Sequence, residues 1–277
     1  MTATRSERGF ALLVGGGLAA LFVVWGAFHV AGWTLGTAAR SDHRVIHGPV
    51  SVLRIASDGR QDVVLEAGAG PDATVDTVAR GTFRAPRPQV EVDGSSVRIH
   101  GGCGPGFFDR CQGSVTVRVP PGTTVEVSAH SGDISAFGLS GLTSLTTSSG
   151  DVTANDLSGA AVLHTASGDI QVHDLTGTAS LEASSGDVDG DDLSSGTVRA
   201  STGSGDVDLV FSGAPNRVDA ETGSGDVNLL VPRGALYSVD AVTSSGDRVI
   251  GVPTAPHAAR VLHARAGSGD ITVLAGS

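Results

Sequence analysis

The sequence contains no lysine, and all 18 of its basic residues are arginine. This absence excludes phosphate-binding loops and Schiff-base chemistry that depend on a lysine side chain. Aromatic residues make up only 4% of the chain, so the apolar interior must be built from Val, Ile, Leu, Ala and Thr. A net charge of −11 argues against nucleic acid as a partner, because phosphate backbones are bound by basic surfaces.

Catalytic motifs are also missing. Neither the zinc-protease pattern H-E-x-x-H nor the nucleophile elbow G-x-S-x-G occurs. The glycine-rich run at residues 101–106 lacks the spacing of a dinucleotide-binding loop. The only dense acidic cluster is Asp189, Asp191 and Asp192, which we interpret as a solvated turn. We therefore predict a protein without enzymatic activity, cofactor or metal site.

The N-terminal region contains one long stretch without charged side chains, Phe10–Trp33. About 20 apolar residues cross a bilayer as a helix. The sequence therefore predicts a transmembrane helix over residues 10–33, preceded by a short tail at residues 1–9, which anchors the chain in the lipid bilayer by a single pass. A cleaved signal peptide is the alternative, but the apolar core of a signal peptide usually has about 7–15 residues.

The chain has two cysteines, Cys103 and Cys111, on either side of a Gly-Pro-Gly turn. Their spacing allows a small hairpin disulfide, which would require an oxidising compartment; two unpaired thiols are the alternative. Arginines flank the apolar stretch equally on both sides and do not decide its orientation. We favour a cell-membrane protein whose folded part is extracytoplasmic.

Internal repetition is the strongest signal in the sequence. The tripeptide Ser-Gly-Asp occurs eight times, with steps of 18, 18, 18, 19, 20, 21 and 23 residues between successive aspartates. Regular repetition of this kind indicates stacked structural units. The eight aspartates are Asp133, Asp151, Asp169, Asp187, Asp206, Asp226, Asp247 and Asp270.

Each repeat reads as two short strands and two turns. A β-branched residue follows the motif aspartate, as in Ile134 and Val152, and Leu145, Leu163 and Leu181 mark the inward centre of the second strand. Alternation with a period of two indicates strands. The predicted fold is all-β, a single-stranded β-helix or β-solenoid with coils of about 18–23 residues, together with the N-terminal transmembrane α-helix. An antiparallel sandwich is less favoured, because its strands would differ from one another.

The remaining segments complete the domain organisation. Residues 34–44 are predicted to be a linker, and residues 45–128 to supply the opening β-strands and an N-terminal cap, since solenoid ends must be covered. Residues 129–277 form the repeat solenoid with a C-terminal cap. The lengthening steps predict wider coils toward the C-terminus, and the strand at residues 271–274 is expected to close the stack.

The repeated Ser-Gly-Asp corner has a structural explanation. Glycine allows a positive φ at a turn, and Ser and Asp side chains can bond to nearby backbone N–H groups. A cation-binding ladder is the alternative, and the corner partly matches calcium-binding nonapeptide repeats. The sequence lacks the double glycine and the G-x-D spacing of those repeats. We therefore interpret the aspartates as a structural turn ladder.

The pattern resembles a known family. The V-x-V-P-x-G step at residues 117–122 is followed by repeated S-G-D-[IV] units, which is similar to the bacterial β-strand-repeat family DUF4097. The resemblance extends over roughly residues 45–277. It implies a β-helix-like fold on a bacterial envelope protein and an adhesin label that some members carry. It brings no catalytic residues.

Two functions are compatible with these features. The first is a non-catalytic envelope scaffold, adhesin-like or protein-interaction module, whose partner is an unknown envelope protein or wall polymer. The alternative is a polysaccharide-binding or polysaccharide-active β-helix, which could use the Asp189–Asp192 cluster. His130, His164 and His173 lie in or beside repeat strands, and we expect them to be ordinary surface residues.

Overall fold

The computed structural model describes residues 38–81, 88–101 and 112–276. All secondary-structure elements in these ranges are β-strands. They are β1 (Ala38–Ile46), β2 (Val52–Ala67), β3 (Ala73–Gly81), β4 (Gln89–Asp93), β5 (Ser96–His100), β6 (Gln112–Val119), β7 (Thr124–Ser131), β8 (Ile134–Phe137), β9 (Thr143–Ser149), β10 (Val152–Leu157), β11 (Ala161–Thr165), β12 (Ile170–Leu175), β13 (Ala179–Ala183), β14 (Val188–Leu193), β15 (Thr197–Thr202), β16 (Val207–Phe211), β17 (Arg217–Ser224), β18 (Val227–Val231), β19 (Tyr237–Ser245), β20 (Arg248–Gly251), β21 (Arg260–Ser268) and β22 (Ile271–Ala275).

The predicted fold class needs correction in its helical part. Within the described ranges there is no helix long and apolar enough to cross a membrane. The described chain starts directly in a strand, β1, which pairs with β3 over its whole length. The transmembrane helix predicted over residues 10–33 lies outside the described residues. The architecture that the structure shows is therefore all-β and solenoid-like.

The strands form two facing sheets that are joined at the Ser-Gly-Asp corners. Sheet B has the order β4-β5-β2-β7-β9-β11-β13-β15-β17-β21-β19. Sheet A has the order β1-β3-β6-β2-β8-β10-β12-β14-β16-β18-β22-β20. Each coil contributes one strand to each sheet, and at about 4.8 Å per strand the stack is roughly 50 Å tall.

The repeat keeps its register from coil to coil. Leu145, Leu163 and Leu181 are aligned partners in sheet B, and Ile134 and Val152 are aligned in sheet A. All five side chains are buried. Inward residues thus stack on chemically similar residues of the next coil, which buries a continuous apolar column without any helix.

Two turn positions in each coil need an unusual backbone. The motif glycine has a positive φ, for example 144° at Gly168. The opposite turn places Asp156, Asp174 and Asp192 in the left-handed region, with φ between 54° and 56°. Aspartate tolerates this region better than most residues, and the first repeat uses Gly138 at the equivalent position. The backbone therefore explains one member of the acidic cluster, Asp192.

The N-terminal end of the stack is covered by antiparallel strands. The first coil is the long strand β2, which runs through both sheets. It lies between the coil β5/β6 and the coil β7/β8, so the first coil in the chain is not the outermost. Strand β4 then covers β5, β3 covers β6 and β1 covers β3, and each of these three pairs is antiparallel. Strand β1 includes residues 38–44, in the segment that the sequence suggested as a linker.

The C-terminal end shows a second exchange of coils. The last coil, β21/β22, is inserted between β17/β18 and β19/β20. The expectation that residues 271–274 close the stack is therefore wrong, because β22 has a neighbour on each side and β20 is the outermost strand of sheet A. The longer sequence steps allow the chain to pass over one coil and return.

Candidate functional site

The motif aspartates form a hydrogen-bonded ladder along one corner of the stack, here called the aspartate ladder. In each coil the backbone N–H of the motif aspartate donates to Oδ1 of the aspartate in the coil below, which is the neighbouring coil nearer the covered N-terminal end. The N···O distances are 2.7–3.2 Å. The order from the N-terminal end is Asp62, Asp133, Asp151, Asp169, Asp187, Asp206, Asp226, Asp270 and Asp247.

Sequence reasoning missed the first member of the ladder. Asp62 lacks the Ser-Gly that precedes the other aspartates, because Arg60 and Gln61 occupy those positions. The available signal was the pair Asp62-Val63, which repeats the Asp-β-branched step of the motif. Asp62 Oδ1 accepts from the N–H of Asp133 at 3.2 Å, so the ladder begins inside the N-terminal cap.

Two further sets of hydrogen bonds complete each corner. The motif glycine N–H donates to the serine carbonyl of the coil above, as Gly150 does to Ser167 at 3.1 Å. The residue after the aspartate donates to the aspartate carbonyl of the coil above, as Val152 does to Asp169 at 2.9 Å. Each corner therefore offers the next coil two donors and one carboxylate acceptor.

The corner geometry does not resemble a metal site. Over the described ranges, no group of three or more His, Cys, Asp or Glu side chains is placed to hold a metal ion. In the ladder one oxygen of each interior carboxylate is already engaged by a backbone N–H. Cys103 and Cys111, whose spacing allows a disulfide, lie outside the described residues.

The acidic cluster of β14 and its turn does not converge on one point. Asp189 and Asp191 lie on the outer face of sheet A, on either side of the buried Gly190. Asp192 occupies the left-handed turn position. Asp191 lies 3.3 Å from the Nδ1 atom of His173, while Asp189 is aligned with Asp208 of the next coil. Their positions follow from the strand and its turn.

The pKa of the Asp189 carboxyl group is raised above its ordinary value. Partial burial is the main cause, and the charge of Asp208 is the next. The charges of Asp187, Asp169 and Asp206 add to it. Asp208 itself accepts a hydrogen bond from the side-chain amide of Asn228 at 2.7 Å. Asp189 and Asp208 are therefore a pair of like charges on the outer face of sheet A, beside the aspartate ladder.

The histidines lie on the outer faces, mostly beside carboxylates. His164 lies 3.8 Å from Glu182, and His173 lies beside Asp191. His263 and Asp240 form a similar pair near the C-terminal end, at 3.3 Å. These contacts join neighbouring coils, whereas His130 is exposed on β7 without such a partner in the part of the chain that the structure describes.

A polar cleft of about 650 Å³ lies beside the first corners of the stack. Its lining includes Arg60, Arg80 and Gln112 together with Asp62 and Asp133. Neither arginine forms an ion pair with a carboxylate among the described residues. Sequence reasoning did not find this cleft, because its residues come from five strands, β2, β3, β6, β7 and β9, that are separated along the chain.

The open end of the stack, here called the tip, consists of β19 and β20. Each of these strands pairs on one side only, β19 with β21 and β20 with β22. Val242 and Val249 are about half exposed there, at 49% and 52%, and Ile250 is 40% exposed. The segment that follows β20 covers only the start of β19, through bonds between Tyr237 and the backbone of Pro253 and Ala255.

A charged residue occupies a core position at the tip. Arg248 is the register partner of Ile271, and Ile271 is aligned with Val227. Each of these residues is the first of its strand in sheet A, and Ile271 and Val227 are buried. The guanidinium Nη1 of Arg248 donates to the carbonyl oxygen of Ala241 in the opposite sheet at 3.2 Å. Arg248 therefore reaches across the end of the apolar core. In the sequence this residue is a departure from the S-G-D-[IV] pattern.

Comparison with known proteins agrees with this architecture. The family described as Toastrack DUF4097 matches residues 51–274, most of the chain. The chain belongs to this family, as the sequence pattern predicted. No curated protein matches the sequence.

The chain is similar to solved structures at low sequence identity. A crystal structure of a "putative adhesin" from Parabacteroides distasonis has 16% identity and a TM-score of 0.57, with 85% of this chain and 97% of that chain covered. A second "putative adhesin", from Bacteroides fragilis, has 13% identity and a TM-score of 0.48, with 87% of this chain and 99% of that chain covered. At these identities the likeness concerns the fold alone.

Proposed function

We propose that this protein is a non-catalytic interaction module of the bacterial cell envelope, held at the membrane through its apolar residues 10–33. Its stack of coils displays the tip to a partner outside the cytoplasm. The adhesin name of the similar structure from Parabacteroides distasonis agrees with this role. The partner is an envelope protein or a wall polymer.

The observation that carries this proposal is the polarity of the stack. The described chain enters at β1, on the outermost strand of sheet A at the covered end. The tip lies at the opposite end, roughly 50 Å away at about 4.8 Å per strand. A protein held through residues that precede β1 would therefore present its open strand edges away from the attachment point. Unpaired strand edges are a common means of recognising another chain.

Site-specific crosslinking in the native membrane tests this role. A photoreactive side chain replaces Val249 at the tip, and matched controls replace Val162 on the middle of sheet B and Val92 at the covered end. These three valines are 52%, 44% and 52% exposed. We expect one envelope component to be enriched at position 249 over both controls. Equal capture at all three positions would contradict the proposal.

Membrane attachment is tested separately on the same cells. The full chain should remain with the membrane fraction after alkaline extraction, and a chain that starts at residue 38 should not. The reason is that about 20 apolar residues suffice to hold a chain in a bilayer. Release of the full chain into the soluble fraction would contradict membrane attachment through residues 10–33. It would not affect the interpretation of the crosslinking experiment.

Polysaccharide binding is the second candidate, and the cleft with Arg60 and Arg80 is the observation that favours it. The two carboxylates that line the cleft, Asp62 and Asp133, belong to the aspartate ladder, and Oδ1 of Asp62 already accepts from the N–H of Asp133. If purified cell wall is the ligand, Arg60→Ala and Arg80→Ala should each reduce its binding several-fold. Arg199→Ala, on an exposed face of β15, should not change it.

A further inference from the structure

The tip repeats the corner that holds every interior coil to the next. Interior corners use a glycine N–H, the N–H of the residue after the aspartate, and the aspartate Oδ1 to bind the coil above. At the tip the corresponding groups are the N–H of Gly246, the N–H of Arg248 and Oδ1 of Asp247. None of these three bonds to another described residue, because β19 and β20 have no coil above them. The tip is therefore an unused template for one more coil.

A second copy of the chain does not fit this template. At the covered end, β4 runs antiparallel to the coil strands of sheet B, whereas β1, two antiparallel steps from β6, runs parallel to those of sheet A. This end therefore cannot stack on the tip as a further coil that is parallel in both sheets. Two tips could meet only about a two-fold axis, which makes their strands antiparallel and places two Arg248 side chains in the same joint. Burying two like charges without partners is strongly unfavourable.

We propose that the tip is a strand-addition site for an extended segment of a partner protein, which binds parallel to β19 and β20 and places a carboxylate over Arg248. The inference rests on the proposed function and names the partner class for the same surface. The guanidinium of Arg248 has five N–H donors and contacts one carbonyl oxygen, that of Ala241. An acidic side chain at the inward position of the added strand, opposite Arg248, would neutralise the charge at the end of the apolar core.

The segment also needs a glycine at its corner. A side chain at a motif glycine would overlap the backbone carbonyl of the coil below it, as at Gly246 of the tip against Gly269. The same close approach would apply to a segment added on Gly246. The partner sequence is therefore expected to combine an alternating apolar strand, a glycine corner and an acidic residue shortly after it.

Labelled peptides with the sequence of residues 237–251 test the proposal on the full-length protein by fluorescence anisotropy. One peptide carries Arg248→Glu, and the other keeps Arg248. We expect the glutamate peptide to bind at least tenfold more tightly than the arginine peptide. In the protein, Arg248→Glu should reverse this preference, and Arg199→Glu should leave it unchanged.

Two further variants separate the template from simple charge attraction. Asp247→Ala in the protein should weaken binding of the glutamate peptide several-fold. The fold should be retained, because the side chain of Asp247 accepts no hydrogen bond from another described coil. Gly246→Ala in the peptide should abolish binding. Equal affinity for both peptides, no binding by either, or no reversal in the Arg248→Glu protein would each overturn the inference. Crosslinking at position 249 in cells would be unaffected by that outcome.

Discussion

At the middle of each Ser-Gly-Asp corner, the glycine packs directly on the carbonyl group of the coil below. Gly168 has a φ of 144°, and a Cβ atom there would overlap the carbonyl oxygen of Gly150. The neighbouring coil cannot move away, because its own corner is held by the aspartate ladder. The recurrence of glycine thus follows from both backbone conformation and stacking distance.

Gly168→Ala should therefore destabilise the protein by about 3 kcal/mol. Strained backbone conformations cost about 1–3 kcal/mol each, and overpacking adds a similar amount. Ser167→Ala is the matched control, since it changes an exposed residue of the same corner. The measurement is denaturant unfolding of both variants. A loss below about 1 kcal/mol for Gly168→Ala would mean that the corner is more adaptable than the structure indicates.

The like charges of Asp189 and Asp208 on the outer face of sheet A predict a substitution that increases stability. Asp189→Asn should raise the free energy of unfolding at neutral pH by about 0.5 kcal/mol, the usual size of a cross-strand pair effect. The gain stays small because the group is partly exposed and screened. The new amide could donate to Asp208 as Asn228 does.

The pH dependence of that gain follows from the raised pKa of Asp189. A raised pKa in the folded protein means that ionisation costs stability as the pH rises through the folded value. Below the unfolded value of about 3.9 both states are protonated, and the cost disappears. The stabilisation by Asp189→Asn should thus be present at pH 7 and absent near pH 3. Asp191→Asn, which loses the contact with His173, should show no such gain.

At the scale of the strands, the alternating pattern was sufficient to predict most inward residues and the two-turn coil. Leu145, Leu163 and Leu181 are buried and aligned as the spacing implied. The order of the coils could not be predicted in the same way. Because each coil offers nearly the same edge to its neighbours, local pattern leaves open which coil stacks on which.

The exchange of the last two coils has a physical explanation that can be recognised afterwards. A sequential stack would place the coil with Arg248 in the interior, between Val227 and Ile271. An unpaired guanidinium would then be buried among apolar side chains, which is costly. With β21/β22 inserted, Arg248 stays at the open end. The sequence signal for this coil order was Arg248, which departs from the S-G-D-[IV] pattern. Strand periodicity predicts neither the coil order nor the cleft at Arg60 and Arg80.

At the scale of the whole molecule, stability should follow position in the stack rather than position in the chain. The coil β21/β22 is the last in sequence, yet it is bonded to a neighbouring coil on both sides. The coil β19/β20 precedes it and is bonded on one side only. In repeat architectures, each coil is stabilised mainly by its interfaces with its neighbours. An end coil should therefore open at a lower free energy than an interior one.

Amide hydrogen exchange resolved by peptide mass spectrometry measures this difference. We expect residues 260–275 to exchange at least tenfold more slowly than residues 237–251, although they lie closer to the C-terminus. The coil β13/β14, in the middle of the stack, provides the reference for full protection. Ordinary fraying from the chain terminus would give the reverse order, with residues 260–275 exchanging first. That result would place the last coil at the end of the stack and remove the basis for treating Arg248 as the residue that closes the core.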